Sequence, residues 1–395
     1  MSISESTMIV KTGGIGNSSI TQTQPAINIL TYQHLEQFKS LRENWTSLLR
    51  QSQNQAIFLT WEWLYAWEKH LGKQRELWLV TALINDNLVG IAPLMLKKMK
   101  KHGVYIRLLC SLGAPHIDVG GFIVQDNDPQ IYAALCNYLI SRKKDWDLLE
   151  FDEVDVEKGG LDLIKPLFEK SGFSTLQIDN RHSYINASEG WEVYFQSLPK
   201  KARHELRRKT GHVEAAARAK FVRHTGREIT CDDLTTMFSI NKHGHFPGFY
   251  QQTEEQEFQH ELLRYMPQKG WPDISILYLD DKPAAFCYGF IYNERLELWR
   301  TGFDTTFQYL SVGIVLMNWV LEDSFKQNIR EVDFLRGKDS YKEQWRPKYR
   351  TYAQFRAASN DKLKPLTIAV LLPKLYRYIN TQYQEISAAF FRKQK

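Results

Sequence analysis

Apolar residues form two similar patterns of short runs separated by polar turns. In residues 77–96, one apolar run precedes the sequence Asn-Asp-Asn and another follows it. In residues 274–290, one apolar run precedes Asp-Asp-Lys and another follows it. Apolar runs that flank a tight polar turn are typical of β-hairpins, because Asn and Asp tolerate the backbone angles of such turns. The sequence therefore predicts one hairpin in each half of the chain.

A helical pattern and a buried strand follow each hairpin in the same order. Residues 131–142 and 313–327 carry apolar side chains at helical spacing, and the sequence at 147–152 resembles that at 330–335. Elements that recur in the same order indicate an internal repeat. A chance similarity of strand–turn–strand patterns is the alternative. The repeat predicts an α/β fold class with two tandem units, each a mixed sheet flanked by helices.

The chain length of 395 residues suits two domains. We expect the first unit at residues 27–187 and the second at 191–358. Residues 1–26 lack the basic and apolar regions of a signal peptide, so they are predicted to be a disordered tail. Residues 362–395 are predicted to be a helical tail that packs on the second unit, with contact with a membrane surface as the alternative.

Composition narrows the class of protein. No apolar run reaches the ~18 residues that a membrane-spanning helix needs, so no transmembrane segment is predicted. The four cysteines lie far apart in the sequence, and three of them sit in apolar runs. This spacing favours reduced structural thiols in a cytoplasmic protein over disulfides or a zinc site. The four are Cys110, Cys136, Cys231 and Cys287.

The densest group of chemically active side chains lies at residues 332–345. A predicted strand ends there at Gly337, and Arg, Asp, Tyr, Lys and Trp occur within ten residues of its end. A strand end requires a turn residue, but it does not require this group of donors, acceptors and a phenol. Groups at the carboxyl edge of a strand are well placed to meet a ligand.

This run resembles the signature of the CelD-like acetyltransferases, a bacterial family of the GNAT type. Their pattern is aromatic-Asp-aromatic-Leu-Arg-Gly, a short acidic spacer, then Tyr-Lys and Trp. The residues that fit are Asp333, Phe334, Leu335, Arg336, Gly337, Tyr341, Lys342 and Trp345. Lys338 stands where the family more often has an acid. The tandem arrangement also resembles the FemAB-like transferases, which carry two such units.

The resemblance implies an acyl-CoA co-substrate, such as acetyl-CoA, and an amine acceptor, without a metal. A helix N-terminus suits the pyrophosphate of the coenzyme, because its backbone N–H groups and dipole favour anions. The helical pattern of the second half begins at Ser311, Val312 and Gly313. These three residues are the candidates for binding the pyrophosphate. A serine-capped buried helix is the alternative interpretation.

Candidate acid–base groups are one phenol and two carboxylates. Tyr341 is the candidate donor of a proton to the leaving thiolate, since an ordinary Tyr is neutral at pH 7. Asp339 is the candidate for orienting the amine or accepting its proton. Asp118 lies in the glycine-containing loop 113–121 of the first unit, where CelD-like proteins carry a similar Gly-x-x-x-x-Asp stretch. The structural alternatives are packing on a sheet edge for Tyr341 and turn positions for both acids.

Candidate substrate contacts are Arg336, Lys342 and Trp345. Arg can donate two parallel hydrogen bonds to a carboxylate, a phosphate or the coenzyme, and Lys supplies a localised positive charge to the same groups. Asp333 either faces the cleft or forms a structural salt bridge with Arg300.

Positive charge is concentrated in one segment. The chain has a net charge of +6, and residues 200–227 hold ten Lys or Arg but two Glu. Arg203 and Arg207 lie on one helical face with Lys200, so they are candidates for binding the 3′-phosphate of the coenzyme. A sugar phosphate, RNA and a solvated helix face are the alternatives. RNA is included because FemAB-like transferases use aminoacyl-tRNA, although no aromatic residue interrupts residues 200–220.

Two further patterns carry little chemistry. The glycines at 13–16 suggest a nucleotide loop, but no helical pattern follows them. His243 and His245 have no nearby Cys or carboxylate that would complete a metal site.

The leading hypothesis is an acyl-CoA-dependent N-acyltransferase for a polar amine, such as an amino sugar in envelope or exopolysaccharide synthesis. One alternative is a FemAB-like transferase that uses aminoacyl-tRNA. The other is a non-catalytic scaffold that associates peripherally with a polysaccharide-synthesis assembly.

Overall fold

A computed structural model describes residues 8–9, 26–101, 103–244, 252–327, 329–337 and 339–373. The chain divides into two compact units. The first contains Met1–Glu68, Gly72–Asn180 and Tyr352–Lys395, and the second contains Lys69–Leu71 and Arg181–Thr351. The units are therefore interleaved in sequence, whereas the pattern of the chain suggested consecutive ones. Most of the predicted N-terminal tail, with its glycine run, lies outside the described residues, as do residues 374–395 of the predicted C-terminal tail.

The first unit contains a mixed sheet whose strand order is β1-β2-β3-β4-β5-β7-β14-β8, and β6 pairs with β4. The strands are β1 (Met8–Ile9), β2 (Asn28–Tyr32), β3 (Glu76–Ile84), β4 (Asn87–Lys101), β5 (Val104–Ser111), β6 (Ile123–Val124), β7 (Leu148–Asp155), the start of β8 (Phe173–Asn186) and the end of β14 (Lys348–Ser359). The helices are α1 (Leu35–Ser40), α2 (Arg42–Gln51), α3 (Trp61–Leu71), α4 (Pro129–Ser141), α5 (Leu161–Lys170) and α12 (Leu363–Leu366).

The second unit contains a mixed sheet in the order β8-β13-β12-β11-β10-β9. Besides the end of β8, its strands are β9 (Ala219–Thr225), β10 (Pro272–Leu279), β11 (Lys282–Tyr292), β12 (Arg295–Phe303) and β13 (Glu331–Arg336). Its helices are α6 (Trp191–Ser197), α7 (Lys200–Ala216), α8 (Cys231–Lys242), α9 (Thr253–Tyr265), α10 (Val312–Lys326) and α11 (Ser340–Glu343).

The same supersecondary arrangement occurs in both units. In the first, β5 and β7 pair in parallel and α4 connects them. In the second, β12 and β13 pair in parallel and α10 connects them. Each parallel pair follows an antiparallel hairpin, β3–β4 or β10–β11. The predicted α/β fold class, with a similar arrangement of strands and helix in two units, is therefore confirmed.

The backbone conformation of the two hairpin turns explains why Asn and Asp indicated their positions. Asp280 and Asp281 have φ angles of 47° and 66°, and Asn85 and Asp86 have 48° and 63°. Two consecutive left-handed residues form the turn whose twist matches that of antiparallel strands, and Asn and Asp adopt this conformation readily. Both predicted hairpins are present at the predicted positions.

Apolar packing against α10 forms the core of the second unit. Val315, Leu316 and Val320 of this helix lie in one buried cluster with residues of β11 and β12, including Cys287 and Leu298. The carboxyl ends of these strands and the N-terminus of α10 therefore have fixed positions relative to each other, because close-packed interiors allow little movement.

The first described residues of the C-terminal tail are helical, as predicted, but they contact the first unit. The ammonium of Lys362 donates hydrogen bonds to the carbonyl of Lys143 at 2.8 Å and to the carboxylate of Asp147 at 2.9 Å. The expectation that the tail packs on the second unit is wrong for these residues, because β14 returns the chain to the first unit from Tyr352 onward.

All four cysteines are free thiols. Cys110, Cys136 and Cys287, which sit in apolar runs, are buried, and Cys231 is exposed. Among the described helices, none is long and apolar enough to cross a bilayer.

A buried ion pair connects β9 to β10 and α10. Arg223 is 4% exposed, and its Nε lies 2.8 Å from Oδ2 of the fully buried Asp273. Its Nη1 lies 2.9 Å from Oδ2 of Asp323 on α10. Removing one partner of a buried pair leaves the other charge without compensation.

We expect Arg223→Met to lower the free energy of unfolding by about 3–5 kcal/mol, because Asp273 would remain buried without its partner. Urea unfolding followed by tryptophan fluorescence measures this. Arg218→Met is the matched control: it removes the contact with Asp281, in which the side chains are 72% and 73% exposed, and should cost less than about 1 kcal/mol. Equal losses in the two variants would contradict the assigned role of burial.

A second carboxylate with a shifted pKa lies in the first unit. Partial burial of Asp152 on β7 and the nearby Glu150 carboxylate together raise the pKa of Asp152 to about 6. Nε2 of Gln354 donates a hydrogen bond to Asp152 Oδ1 at 2.9 Å. Because the folded-state pKa exceeds the unfolded one, the ionised carboxylate destabilises the fold above about pH 6, and this cost disappears below about pH 4.

We therefore expect Asp152→Asn to increase the free energy of unfolding by roughly 1–3 kcal/mol at pH 8, with the gain shrinking as the pH falls toward 4. Unfolding curves at several pH values measure this. Asp179→Asn is the control, since Asp179 is exposed and also accepts a glutamine amide, from Gln177 at 2.8 Å. A gain at Asp152 that does not change with pH would rule out ionisation as its cause.

Candidate functional site

A pocket of about 430 Å³ in the second unit brings together four of the candidate residues. Ser311, Val312 and Gly313 line it from the start of α10, and Tyr341 lines it from α11. The remaining lining comes mainly from the middle of β11, the carboxyl end of β12 and the end of α8. The donor-binding and proton-donating candidates therefore share one cavity.

The backbone before α10 turns sharply into the helix. Asp304 caps the preceding 3-10 helix, Thr305–Leu310, by accepting a hydrogen bond from the N–H of Thr306 at 2.8 Å. Ser311 then adopts a left-handed conformation with a φ of 57° at the N-cap position of α10. Its carbonyl accepts hydrogen bonds from Ile314 and Val315 at 3.0 and 3.2 Å.

The first N–H groups of α10 are available to a ligand. The first four N–H groups of a helix have no intrahelical acceptor, and within the described part of the chain the Ser311 side chain makes no capping hydrogen bond. The N–H groups of Val312 and Gly313 therefore lie at the positive end of the helix dipole, where an anion is favoured. At Gly313, an added Cβ would lie 3.3 Å from Cδ1 of Phe303, so the absence of a side chain keeps this approach open.

The equivalent helix of the first unit has a different start. The Asp128 carboxylate accepts a hydrogen bond from the N–H of Gln130 at 2.8 Å, and Pro129 occupies the first turn of α4. A carboxylate at this position repels an anionic ligand, and proline has no N–H to offer. Of the two related helices, α10 is therefore the one whose N-terminus suits a phosphate group.

The described lining of the pocket carries no formally charged side chain. Phe286, Cys287 and Met317 are apolar, and Asn241, Thr301 and Gln308 are neutral and polar. A neutral cavity that ends at a helix N-terminus suits a ligand with an uncharged arm and an anionic end. The thioester arm and pyrophosphate of an acyl-coenzyme A have this distribution, so the residues present fit the implied co-substrate.

Tyr341 is held in its protonated form. Burial raises the pKa of its phenol well above the ordinary value, and the negative charge of Asp339 raises it further. A hydrogen bond with the side chain of Thr301 acts in the opposite direction but is a smaller effect. A phenol that stays neutral throughout the physiological range can donate a proton at any working pH.

Cys287 is a structural thiol despite its place in the pocket lining. Burial raises its pKa far above that of an ordinary cysteine, so the nucleophilic thiolate is not formed. Transfer of an acyl group through this sulfur is therefore disfavoured.

The motif residues after β13 divide into buried and exposed groups. Lys342 is 4% exposed, and Trp345 is fully buried in the apolar core of the unit. Arg336 is exposed, and the side chain of Asp339 is 56% exposed. Of the three predicted substrate contacts, Arg336 alone therefore presents its side chain to solvent.

Asp333 is paired with a different arginine from the one considered in the sequence. Its Oδ2 lies 3.3 Å from Nη1 of Arg350, which comes from β14. Arg300 instead stacks on Trp299, with its guanidinium carbon 4.3 Å from the ring centroid. The suggested Asp333–Arg300 bridge is wrong, because Arg350 of β14 occupies the position next to Asp333.

The basic segment divides between a helix and the sheet. Lys200, Arg203 and Arg207 lie on α7, which contacts both α10 and the 3-10 helix before it. Arg207 packs over the ring of Phe195 at 5.3 Å, and Arg203 donates a hydrogen bond to Gln196.

Other charges of the segment are compensated. Arg208 pairs with Glu205 at 2.6 Å. Arg223 takes part in the buried ion pair. Residues 200–227 therefore carry less uncompensated positive charge on their surface than their sequence suggests.

Asp118 belongs to the first unit and does not line the pocket. It is buried, with 5% exposure, in the loop that follows β5. Its acid–base role remains a prediction.

Sequence reasoning missed several neutral lining residues and one buried acid. Asn241, Thr301 and Gln308 belong to no motif, and single neutral polar residues give no sequence signal. Glu297 is 1% exposed on β12, opposite Asp333 in the parallel ladder. Its signal is an acid between Leu296 and Leu298, within the otherwise apolar run 296–299.

No three His, Cys, Asp or Glu side chains of the described residues come together as metal ligands would. His243 lies at the end of α8, and its Nδ1 is 3.3 Å from Oδ2 of Asp304. The following residues 245–251 lie outside the described part.

Comparison with known proteins supports the resemblance at the level of the domain. Residues 200–343 match the model of an acetyltransferase (GNAT) domain. No curated protein matches the chain in sequence. The matched residues lie in the second unit and include α7, the pocket and the Tyr-Lys motif.

Several solved structures are similar to this chain. FemX is 11% identical, with a TM-score of 0.57, and the match covers 82% of this chain and 98% of that one. The C-terminal domain of a proposed lysylphosphatidylglycerol synthetase from Agrobacterium fabrum is 9% identical, with a TM-score of 0.52 over 85% and 97% of the two chains. A tandem GNAT protein from the clavulanic acid biosynthesis pathway is 11% identical, with a TM-score of 0.48 over 84% and 98%.

For FemX and the Agrobacterium fabrum domain, these identities show a shared fold and no more. Residues 200–343 thus match a GNAT-type acetyltransferase domain, within a chain whose fold is similar to that of FemX.

Proposed function

We propose that the protein is an acyl-CoA-dependent N-acyltransferase whose donor site is the pocket at the start of α10. The observation that supports this most directly is the meeting of an uncapped helix N-terminus and a half-buried phenol in one neutral cavity. The GNAT match over residues 200–343 covers the same elements. The start of α4, with its own carboxylate and proline, is a poorer anion site.

The proposed roles follow from the positions of the side chains. The N–H groups of Val312 and Gly313 hold the pyrophosphate, and Arg203 and Arg207 of the adjacent α7 supply positive charge for the 3′-phosphate. When bound, the thioester supplies an activated acyl group, so the protein mainly has to orient the reactants. Apolar lining groups exclude water from the thioester.

Proton transfer is divided between two residues. As the amine attacks the acyl carbon and the carbon–sulfur bond breaks, Tyr341 gives its proton to the departing sulfur. Asp339, half-exposed and close enough to influence the Tyr341 phenol, accepts the proton that the amine loses. Arg336 is the proposed contact with an anionic part of the acceptor, because it is exposed beside this site.

We infer a polar amine as the acceptor, of the amino-sugar class used in envelope or exopolysaccharide synthesis. This rests on the CelD-like resemblance, and the neutral polar groups of Asn241, Thr301 and Gln308 suit the hydroxyls of a sugar. Such an enzyme would act in the cytoplasm, where acyl-CoA is available, with peripheral contact with a polysaccharide-synthesis assembly.

A FemAB-like transferase that uses aminoacyl-tRNA is the second candidate. The exposed cations of α7, next to the start of α10, favour it. Salt-dependent tRNA binding that disappears when Arg203, Arg207 and Arg208 are neutralised would support this candidate. A non-catalytic scaffold would bind neither acetyl-CoA nor tRNA.

We expect acetyl-CoA and coenzyme A to bind the purified chain with micromolar affinity in isothermal titration. Gly313→Val should weaken acetyl-CoA binding by at least about tenfold, because the added side chain crowds the approach to the helix N-terminus. Gly211→Val is the matched control, since a Cβ at this other helical glycine of the second unit meets nothing within 4 Å. It should leave binding unchanged.

Equal weakening by the two valines would mean that helix destabilisation, not a ligand contact, accounts for the effect. If the folded wild-type chain binds no acetyl-CoA, acyl-CoA is not the donor, and tRNA binding should be tested instead.

We expect Tyr341→Phe to lower turnover by about 10²–10⁴-fold, because it removes the proton donor and leaves the ring in place. Affinity for acetyl-CoA and thermal stability should change little. Tyr278→Phe is the control, since Tyr278 is another phenol of the second unit that hydrogen-bonds a threonine, Thr236, away from the pocket. Wild-type turnover by the Tyr341 variant would remove this residue from the mechanism.

A further inference from the structure

The loop that carries Tyr341 is fastened to the protein at both ends. We define the motif loop as residues 335–337 and 339–342, on either side of Lys338, which lies outside the described residues. The loop begins in the last two residues of β13 and contains Gly337, which has a φ of 109°. Its geometry determines where the Tyr341 phenol lies, because Tyr341 is the second residue of the short helix α11.

At the start of the loop, Asp333 stabilises an unusual backbone. Leu335 has a φ of 58°, a left-handed conformation that is unfavourable for a residue with a branched side chain. Oδ1 of Asp333 accepts a hydrogen bond from the N–H of Leu335 at 2.7 Å, and Oδ2 faces Arg350. The buried carboxylate thus compensates for the strain where the strand ends.

At the other end, the ammonium of Lys342 reaches back across the loop. Its Nζ donates a hydrogen bond to the carbonyl of Arg336 at 2.7 Å and lies 3.2 Å from Oδ2 of Asp339. The carbonyl of Gly337 is 3.5 Å away. The N–H of Lys342 also donates to the carbonyl of Asp339 at 3.0 Å. An ammonium has three donors, and these acceptors all belong to the motif loop.

Gly337 leaves room for this arrangement. A Cβ at this position would lie 2.8 Å from Oδ2 of Asp339 and 3.3 Å from Nζ of Lys342. The glycine, the aspartate and the lysine of the motif therefore form one interlocking unit. This unit gives a physical reason for their spacing in the sequence, independent of any contact with substrate.

We propose that Lys342 is a positioning residue, whose buried ammonium holds the motif loop closed and thereby keeps Tyr341 packed in the donor pocket. This inference rests on the proposed function of that pocket. It assigns Lys342 a different role from substrate binding, since its donors face carbonyl and carboxylate groups of its own loop. Asp333 supports the same loop from the strand.

The placement of Tyr341 provides a readout that does not need activity. Tyr341 packs against the apolar cluster that contains Cys287, and Cys287 is 2% exposed in the lining of the same pocket. If the motif loop opens, this thiol becomes accessible. Cys231 is exposed in all states, whereas Cys110 and Cys136 lie in the core of the first unit and report global unfolding.

The experiment compares thiol labelling of Lys342→Met with that of the wild type, using a maleimide and peptide mass spectrometry. We expect labelling of Cys287 to accelerate by at least about tenfold, because the carbonyl of Arg336 loses its donor and the loop opens more often. Labelling of Cys231 should be unchanged, and Cys110 and Cys136 should stay protected. Unchanged protection of Cys287 would overturn the proposal.

Lys362→Met is the matched control. Lys362 also donates to backbone carbonyls and to a carboxylate, but it does so in the first unit. This variant should leave the labelling rate of Cys287 unchanged. Acceleration by both variants would show that Cys287 reports general destabilisation, and would overturn the specific role of Lys342.

Asp339→Asn covers the case in which Lys342→Met does not fold. It removes only the half-exposed charged partner of the ammonium, so the fold should persist. We expect a smaller acceleration of Cys287 labelling, of about threefold. Complete protection of Cys287 in this variant would then count against the closed loop.

Turnover supplies a second test that separates positioning from a merely structural role. Lys342→Met should lower turnover by at least about tenfold, with little change in acetyl-CoA affinity. In a Tyr341→Phe background the further loss should be smaller, because the proton transfer from Tyr341 is already absent and only the displacement of Asp339 remains. Equal losses in the two backgrounds would overturn the link between Lys342 and Tyr341.

The two proposals can fail separately. A folded chain that neither binds nor turns over acetyl-CoA would refute the function, while the labelling of Cys287 would still decide whether Lys342 closes the loop.

Discussion

The parallel pairing of β12 and β13 is the constraint on which the rest of the second unit depends. Two parallel strands that are neighbours in sequence require a crossover, and here the crossover is α10. The helix must begin at the edge where β12 ends, which is also the edge where β13 ends. The topology alone therefore brings together the helix N-terminus, the last residues of both strands and the motif loop. The side chains at this edge determine which ligands it can bind.

The two units show how much those side chains matter. Both contain a parallel strand pair connected by a helix, yet the helix start is self-capped by Asp128 in the first and left uncapped at Ser311 in the second. The difference lies in three or four positions of a shared architecture. A duplicated unit of this kind can lose a ligand site and keep its fold, since packing of the apolar face does not depend on the cap. The chemistry of each unit therefore depends on these side chains and not on the fold that the chain shares with FemX.

The fold was predictable from local signals, and the site was predictable in part. Apolar runs around Asp280-Asp281 identified a hairpin because the turn chemistry and the strand pattern agree at that point. The start of α10 was predicted from the helical pattern that begins at Ser311, and Tyr341 was predicted from the motif residues that cluster at 332–345. The pairing of Asp333 with Arg350 was not, because the arginine arrives on a later strand and carries no signal of its own. The buried state of Lys342 was also missed, since lysine in a motif ordinarily indicates a solvent-facing contact.

The return of the chain to the first unit has a consequence for biosynthesis. β14 pairs with β7 from Tyr352 onward, although β7 ends at Asp155. During translation, β7 leaves the ribosome long before its neighbour on that side has been made. The first unit therefore cannot complete its sheet until the second has been synthesised, so a nascent chain carries an unpaired strand edge through about half of its elongation. Such edges attract other strands, which makes the emerging chain a natural client for chaperones that cover exposed backbone.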